Sequence, residues 1–144
     1  MAVTMQVDIV SAESEIFSGT ATMMVAPAEM GEVGVAARHA PMITRLKAGE
    51  VHVKNENDNS ENSFFVSGGI LEVQPHVVTI LADTALRADD IDEAAALEAK
   101  QRAEELLAAH QGDQDGEFDY KKAQAELLES VARLQTLKKM RERK

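Results

Sequence analysis

A change of pattern near residue 83 constrains this chain more than any other feature. Up to Asp83, short apolar stretches are interrupted by Gly, Pro and polar clusters, the pattern of half-buried antiparallel strands. Beyond it Ala, Leu, Glu, Lys and Arg dominate, and neither Gly nor Pro occurs between positions 84 and 111. A sheet is therefore expected first and helices after it, an α+β chain with its boundary near residues 85–89. Met5, Val7 and Ile9 alternate with Gln6 and Asp8, placing three apolar side chains on one face of a first strand. Further strand-like stretches at 23–26, 43–46, 50–54, 64–67, 70–73 and 77–82 give about seven to ten strands. Their turns recur at the spacing of a sandwich or barrel. Residues 55–62 (NENDNSEN) hold no apolar side chain and read as a solvated hairpin loop, while Gly68 and Gly69 suggest a bulge or a close backbone approach.

In the second part, Asp90 is the expected helix cap, with Glu93 three positions on. Ile91, Ala95, Ala99, Ala103 and Leu106 then form a narrow stripe whose small residues suit close helix packing. The string GDQDG at 112–116 ends this helix, and Asp119 caps a second. There Tyr120, Ala123, Leu127, Val131, Leu134 and Leu137 step by three and four. Two helices with one apolar stripe each form an antiparallel hairpin most simply.

Charge narrows what such a molecule can do. Its 144 residues carry 15 basic and 25 acidic side chains, a net charge of −10 that repels phosphate backbones and anionic lipid. Neither nucleic acid nor direct lipid insertion is expected, and the N-terminus lacks the basic flank and apolar core of a signal segment. The chain is expected to be soluble and unprocessed. The deficit is uneven: residues 89–119 hold eleven acidic and two basic side chains, whereas residues 120–144 hold eight basic and three acidic. Lys138, Lys139, Arg141, Arg143 and Lys144 cluster at the end of the second helix, where cations complement its dipole. They can pair with the first helix, or dock onto an acidic partner surface.

Catalytic chemistry finds no foothold. With no Cys, thiolate nucleophiles and Cys-ligated metals are excluded. His39, His52, His76 and His110 show no metal-ligand spacing, and the chain has neither a phosphate-cradling loop nor a nucleophile elbow. No metal or cofactor is expected, and the work falls to contacts with other proteins.

Four strings carry a resemblance: VSAESEIFSG (10–19), GEVGVAARHAPMITRLKAGEV (31–51), SGGILEVQPHVVTILADTALR (67–87) and IDEAAALEAKQRAEELL (91–107). Together, and in order, they resemble the epsilon subunit of bacterial F-type, proton-translocating ATP synthases. The resemblance implies an N-terminal ten-stranded antiparallel β-sandwich over residues 1–86, binding the gamma subunit and the c-ring, and a C-terminal two-helix regulatory domain over residues 87–144. It implies a non-catalytic central-stalk rotor subunit, peripheral on the cytoplasmic face of the bacterial inner membrane, coupling c-ring rotation to ATP synthesis. By the same resemblance Glu32 and His39 fall at the c-ring contact, and Thr44 and Ser67 at or near the gamma contact. Lys138, Lys139, Arg141 and Arg143 would meet the acidic segment of the beta subunits, so that the extended helices, reaching alpha and beta, block hydrolysis. Some family members bind ATP at an [IL]DxxRA-like string. Here Ile91 and Asp92 are kept, but Ala95 stands where the Arg belongs, removing one phosphate-pairing contact. An adenine-nucleotide-sensing hairpin is the alternative reading.

Overall fold

A computed structural model describes residues 3–56, 60–109 and 120–143. The alternation at the N-terminus becomes β1 (Met5–Ser11), with Met5, Val7 and Ile9 buried. It is followed by β2 (Glu15–Ala28), β3 (Gly31–Ala36), β4 (Met42–Leu46) and β5 (Gly49–Asn55). β6 (Glu61–Val66), β7 (Gly69–Val73), β8 (Val77–Ala82) and β9 (Ala85–Arg87) complete the sheet region. A 3₁₀ turn at Ala88–Asp90 leads to α1 (Glu93–Ala109) and α2 (Tyr120–Glu142).

The strand β2 organises the sandwich. Its first half pairs with β1, and its second half lies between β3 and β5, touching β4 at Ala28. Two strand series, β1–β8–β7–β4 and β2–β5–β6–β9, thus join through β2 around one core. That core contains Val7, Ile9, Met24, Val35, Val51, Val53, Phe64, Leu71 and Ile80. Compared with the ten-stranded antiparallel expectation, the described residues form nine strands, and β1 pairs with β8 in parallel. The parallel pair arises because β1 also closes antiparallel onto β2, leaving its other edge to a distant strand that arrives in the same direction. The Gly pair does what its sequence suggested. Gly69 has φ +142, and a Cβ there would lie 2.2 Å from the Leu81 carbonyl oxygen, so only glycine lets β7 approach β8 so closely.

The cap of α1 is Asp92 rather than Asp90: Asp92 Oδ1 accepts the Ala95 N–H at 3.0 Å, while Asp90 belongs to the 3₁₀ turn. The expected stripe holds at Ile91, Ala99 and Ala103 but departs by one residue at two positions, where Ala96 is buried and Leu107 half-buried while Ala95 and Leu106 are exposed. On α2 the expected stripe stands apart from exposed Tyr120: Ala123 and Leu137 are buried, and Leu127, Val131 and Leu134 half-buried. The GDQDG string, Asp119 and His110 lie outside the described residues. The two helices pack on each other, and α2 is the one laid against β5 and β6. No described helix is long and apolar enough to cross a membrane.

Candidate docking faces

The helical region is seated on the sandwich through a small second core. Phe65, Ala88 and Ile91 meet Ala132 and Leu137 of α2, with Ala48, Leu86 and Met140 at the margin. Phe65 points to the opposite face of β6 from its neighbour Phe64, yet both are fully buried. One face of this strand fills the sandwich and the other is covered by α2. The Arg133 guanidinium lies 5.0 Å from the Phe65 ring centroid, and its Nη2 donates to Glu129 at 2.8 Å, so a cation roofs the contact.

Around this seat the basic end of α2 is tied down. Arg143 donates from both terminal nitrogens to Glu50, at 2.6 and 2.9 Å, and the Ser63 hydroxyl donates to the same carboxylate at 2.6 Å. The Glu50 side chain is only 5% exposed, which makes this pair unlike an ordinary surface bridge. Burial pushes the Glu50 carboxyl up, but the hydrogen bonds from Arg143 and Ser63 and the guanidinium charge outweigh it and hold the group below its ordinary value. Arg141 makes a second two-pronged bond, to Glu93 at the start of α1, at 2.6 and 3.2 Å, and this lowers the Glu93 carboxyl. Lys139 lies 3.7 Å from Glu32. Lys138 is exposed and has no ion pair among the described residues. Of the four cations singled out in the sequence, three are therefore engaged within the chain, mostly by the sandwich and only once by the first helix.

The other singled-out residues fall in three places. Glu32 opens β3, which pairs only with β2 among the described residues, while His39 sits in the turn after the strand ends. That turn is fixed by Arg38 at φ 67, whose N–H bonds to the Pro75 carbonyl, and His39 Nδ1 lies 2.8 Å from the Ala40 carbonyl oxygen. Glu32 and Ala36 are already separated by about 13 Å of strand, so Glu32 and His39 are not brought together. Nor are Thr44 and Ser67: Thr44 is opposite Leu71, and Ser67 precedes β7, whose first residue Gly69 is opposite Leu46, which leaves about 13 Å of strand between the two positions. Thr44 itself is half-buried on the inner face of β4. Ile91 is buried against α2, and Asp92 is occupied as a cap.

Sequence reasoning missed the outward face of β4, β7 and β8. Arg45, Ile70, Leu81 and Val10 form one cross-strand row, and Ile43 stands two positions along from Arg45. Ile43 is 72% exposed, and Ile70, Leu81 and Val77 are exposed beside it. Reading each stretch as strictly alternating would have shown it: Ile70 and Leu81 directly neighbour the core residues Leu71 and Ile80, so they must face outward. At the β2–β3 turn Met30 is 99% exposed beside Glu32.

Two family models match in order: the beta-sandwich domain of the ATP synthase delta/epsilon chain over residues 4–88, and its long alpha-helix domain over residues 89–138. The chain is 62% identical over 143 residues to the ATP synthase epsilon chain of Nitrosococcus oceani, covering 99% of both chains. It is 62% identical over 141 residues to ATP synthase epsilon chain 1 of Methylococcus capsulatus, covering 98% of this chain and 97% of the relative. A similar fold occurs in a chain of the Euglena gracilis mitochondrial ATP synthase structure containing OSCP, F1 and the c-ring. There the TM-score is 0.69 at 18% identity, over 98% of this chain and 81% of the other. With both domains matched in order and relatives of this identity spanning nearly the whole length, the chain belongs to the ATP synthase delta/epsilon family.

Proposed function

We propose that this chain works as the non-catalytic central-stalk subunit of a bacterial F-type ATP synthase, coupling proton-driven rotation of the c-ring to ATP synthesis, with its helices acting as a brake on hydrolysis. Residues 1–86 form the body that binds gamma and the c-ring, and residues 87–144 form the regulatory arm. The observation that carries the reading is the uncovered row of Ile70 and Leu81, with Ile43 exposed on the next outward-facing row beside Glu72. A subunit that passes torque to a shaft needs an apolar contact that resists slipping, and isolated soluble monomers rarely leave such a row open. Thr44 lies on β4 and Ser67 just before β7, at the margin of the surface assigned to gamma. Glu32 and His39 make the polar contact with the c-ring, along the length of edge strand β3 rather than at one point. Lys138, Lys139, Arg141 and Arg143 meet alpha and beta when the arm extends. Attached in this way, the chain is peripheral on the cytoplasmic face of the inner membrane.

Deleting residues 138–144 should raise ATP hydrolysis by the assembled enzyme while affecting synthesis less, and unchanged hydrolysis would remove the brake from this account. Crosslinks from Ile43→Cys or Leu81→Cys should reach gamma, and those from Glu32→Cys the c-ring.

A second reading, an arm that senses adenine nucleotide, draws on a cavity of about 320 Å³ at the seam, lined by residues including His52, Arg87, Asp89, Met140 and Arg143. Saturable binding of ATP to the isolated chain by calorimetry would favour it. The duties of Ile91 and Asp92 in packing and capping, together with Ala95, favour the first reading.

A further inference from the structure

The cations assigned to an external acidic surface already have internal acidic partners. Glu50, its side chain only 5% exposed, offers a two-pronged bond to Arg143, which is itself 33% exposed, and Ser63 holds the carboxylate in place. Glu93 offers Arg141 the same geometry at the surface. These two acids lie on different elements, β5 and the start of α1, and converge on the last turns of α2. The apolar seat beneath them is small, because two of its α2 contributors are Ala132 and Leu137 and its sandwich side is centred on Phe65.

We infer that Glu50 and Glu93 form an acidic cradle that imitates the partner's acidic surface, so that the arm's position is set by competition between the two for the same cations. The inference rests on the brake reading above and adds its control element. Arg141 and Arg143 cannot be held against Glu93 and Glu50 and at the same time reach a surface that only the extended arm meets, so the two sets of carboxylates compete for the same guanidiniums. Lys138, exposed and without an ion pair among the described residues, is the cation open to a first encounter with an acidic surface. Arg141, in the more exposed pair, follows, and Arg143, bound to the little-exposed Glu50, leaves last.

The absence of Cys allows a direct test on the isolated full chain. Dyes on Ala12→Cys and Leu128→Cys, both exposed positions, report the separation of sandwich and arm. The E50Q/E93Q variant should show about a tenfold larger population of separated arms, since it removes both two-pronged bonds and leaves the little-exposed position 50 without its charged partnership to Arg143. Raising salt from about 0.05 to about 0.5 M should open the native arm and leave the variant little changed. Poly-glutamate, as a plain acidic probe, should open the native arm at fixed ionic strength. If E50Q disturbs the sandwich, E93Q alone should still open the arm to a smaller degree, and E93R combined with R141E should close it again. A variant as closed as the native chain, or a native arm indifferent to poly-glutamate, overturns the cradle. Failure of the 138–144 deletion to change hydrolysis in the assembled enzyme would overturn the brake instead, because the dye measurement does not depend on the other subunits.

Discussion

The interior of the sandwich and the interface between the helices both exclude solvent, but they do so with side chains of opposite size. Phe64, Ile9, Met24, Leu71 and Ile80 fill the first, whereas α1 and α2 meet through Ala96, Ala103 and Ala123, with Ser130 also buried. A large apolar side chain contributes about 1.5–3 kcal/mol on burial, and an alanine methyl far less. The buried hydroxyls add little, since Ser130 donates to Glu126 and Thr136 to Ala132 within α2. The sandwich is a body that has to remain folded under load. The arm is held by small contacts and a few ion pairs, which suits an element that leaves and returns.

The largest expected effect lies in the sandwich. Phe64→Ala removes a fully buried ring that also stacks against Phe17, with centroids 5.3 Å apart. It should cost about 3–5 kcal/mol in urea unfolding and take the seat for α2 with it. If the sandwich tolerated this change as well as the helices tolerate theirs, the contrast between body and arm would be wrong.

A smaller and separable effect is expected at the helix interface. Ala103→Leu inserts three heavy atoms where α1 and α2 approach closely, which typically costs about 1–3 kcal/mol. Amide exchange in α2 should accelerate while the sandwich keeps its unfolding midpoint. Coupled loss of both would mean that body and arm fold as one unit.

The same contrast explains how much of the molecule the sequence revealed. Strands with strict alternation, such as β1, could be read directly, because buried and exposed positions differ in residue type. β2 could not: Ser18, Gly19 and Thr20 interrupt its apolar residues, although the backbone continues through 14 residues and merely changes partner. β3 hid for the same reason, with two glycines among six residues. On α1 only Ala95 and Leu106 were misplaced, each by one position, because Ala94, Ala95 and Ala96, and likewise Leu106 and Leu107, offer the same side chain at successive positions, so periodicity cannot choose between them. The cap was misplaced because Asp89, Asp90 and Asp92 are equivalent until the 3₁₀ turn takes the first two. Of the docking site, the basic end was legible as a charge run, but its partners Glu50 and Glu32 are 93 and 107 positions away from Arg143 and Lys139, beyond any local pattern. The one available signal was the adjacent pair Phe64 and Phe65, which requires both faces of β6 to be covered.

The smallest expected effect concerns pH, and it distinguishes the closed ion pair from the rest of the seat. The Glu50 carboxyl is held below the ordinary 4.5 of a glutamate. A carboxylate lowered in this way contributes its full stabilisation above its unfolded value and loses it as the pH falls through the lowered one. Docking of the arm should therefore be constant from about pH 8 to about pH 5.5 and loosen only below 4.5, as Glu50 takes up a proton and Arg143 loses its anchor. Glu93, also lowered by its hydrogen bonds from Arg141, reinforces the same direction. The sandwich core contains no ionisable side chain and should respond less. In the dye-labelled chain, E50Q/E93Q should start more open and show a flatter acid response than the native protein. An arm that opens between pH 7 and 6 would instead overturn the assignment of control to these two carboxylates.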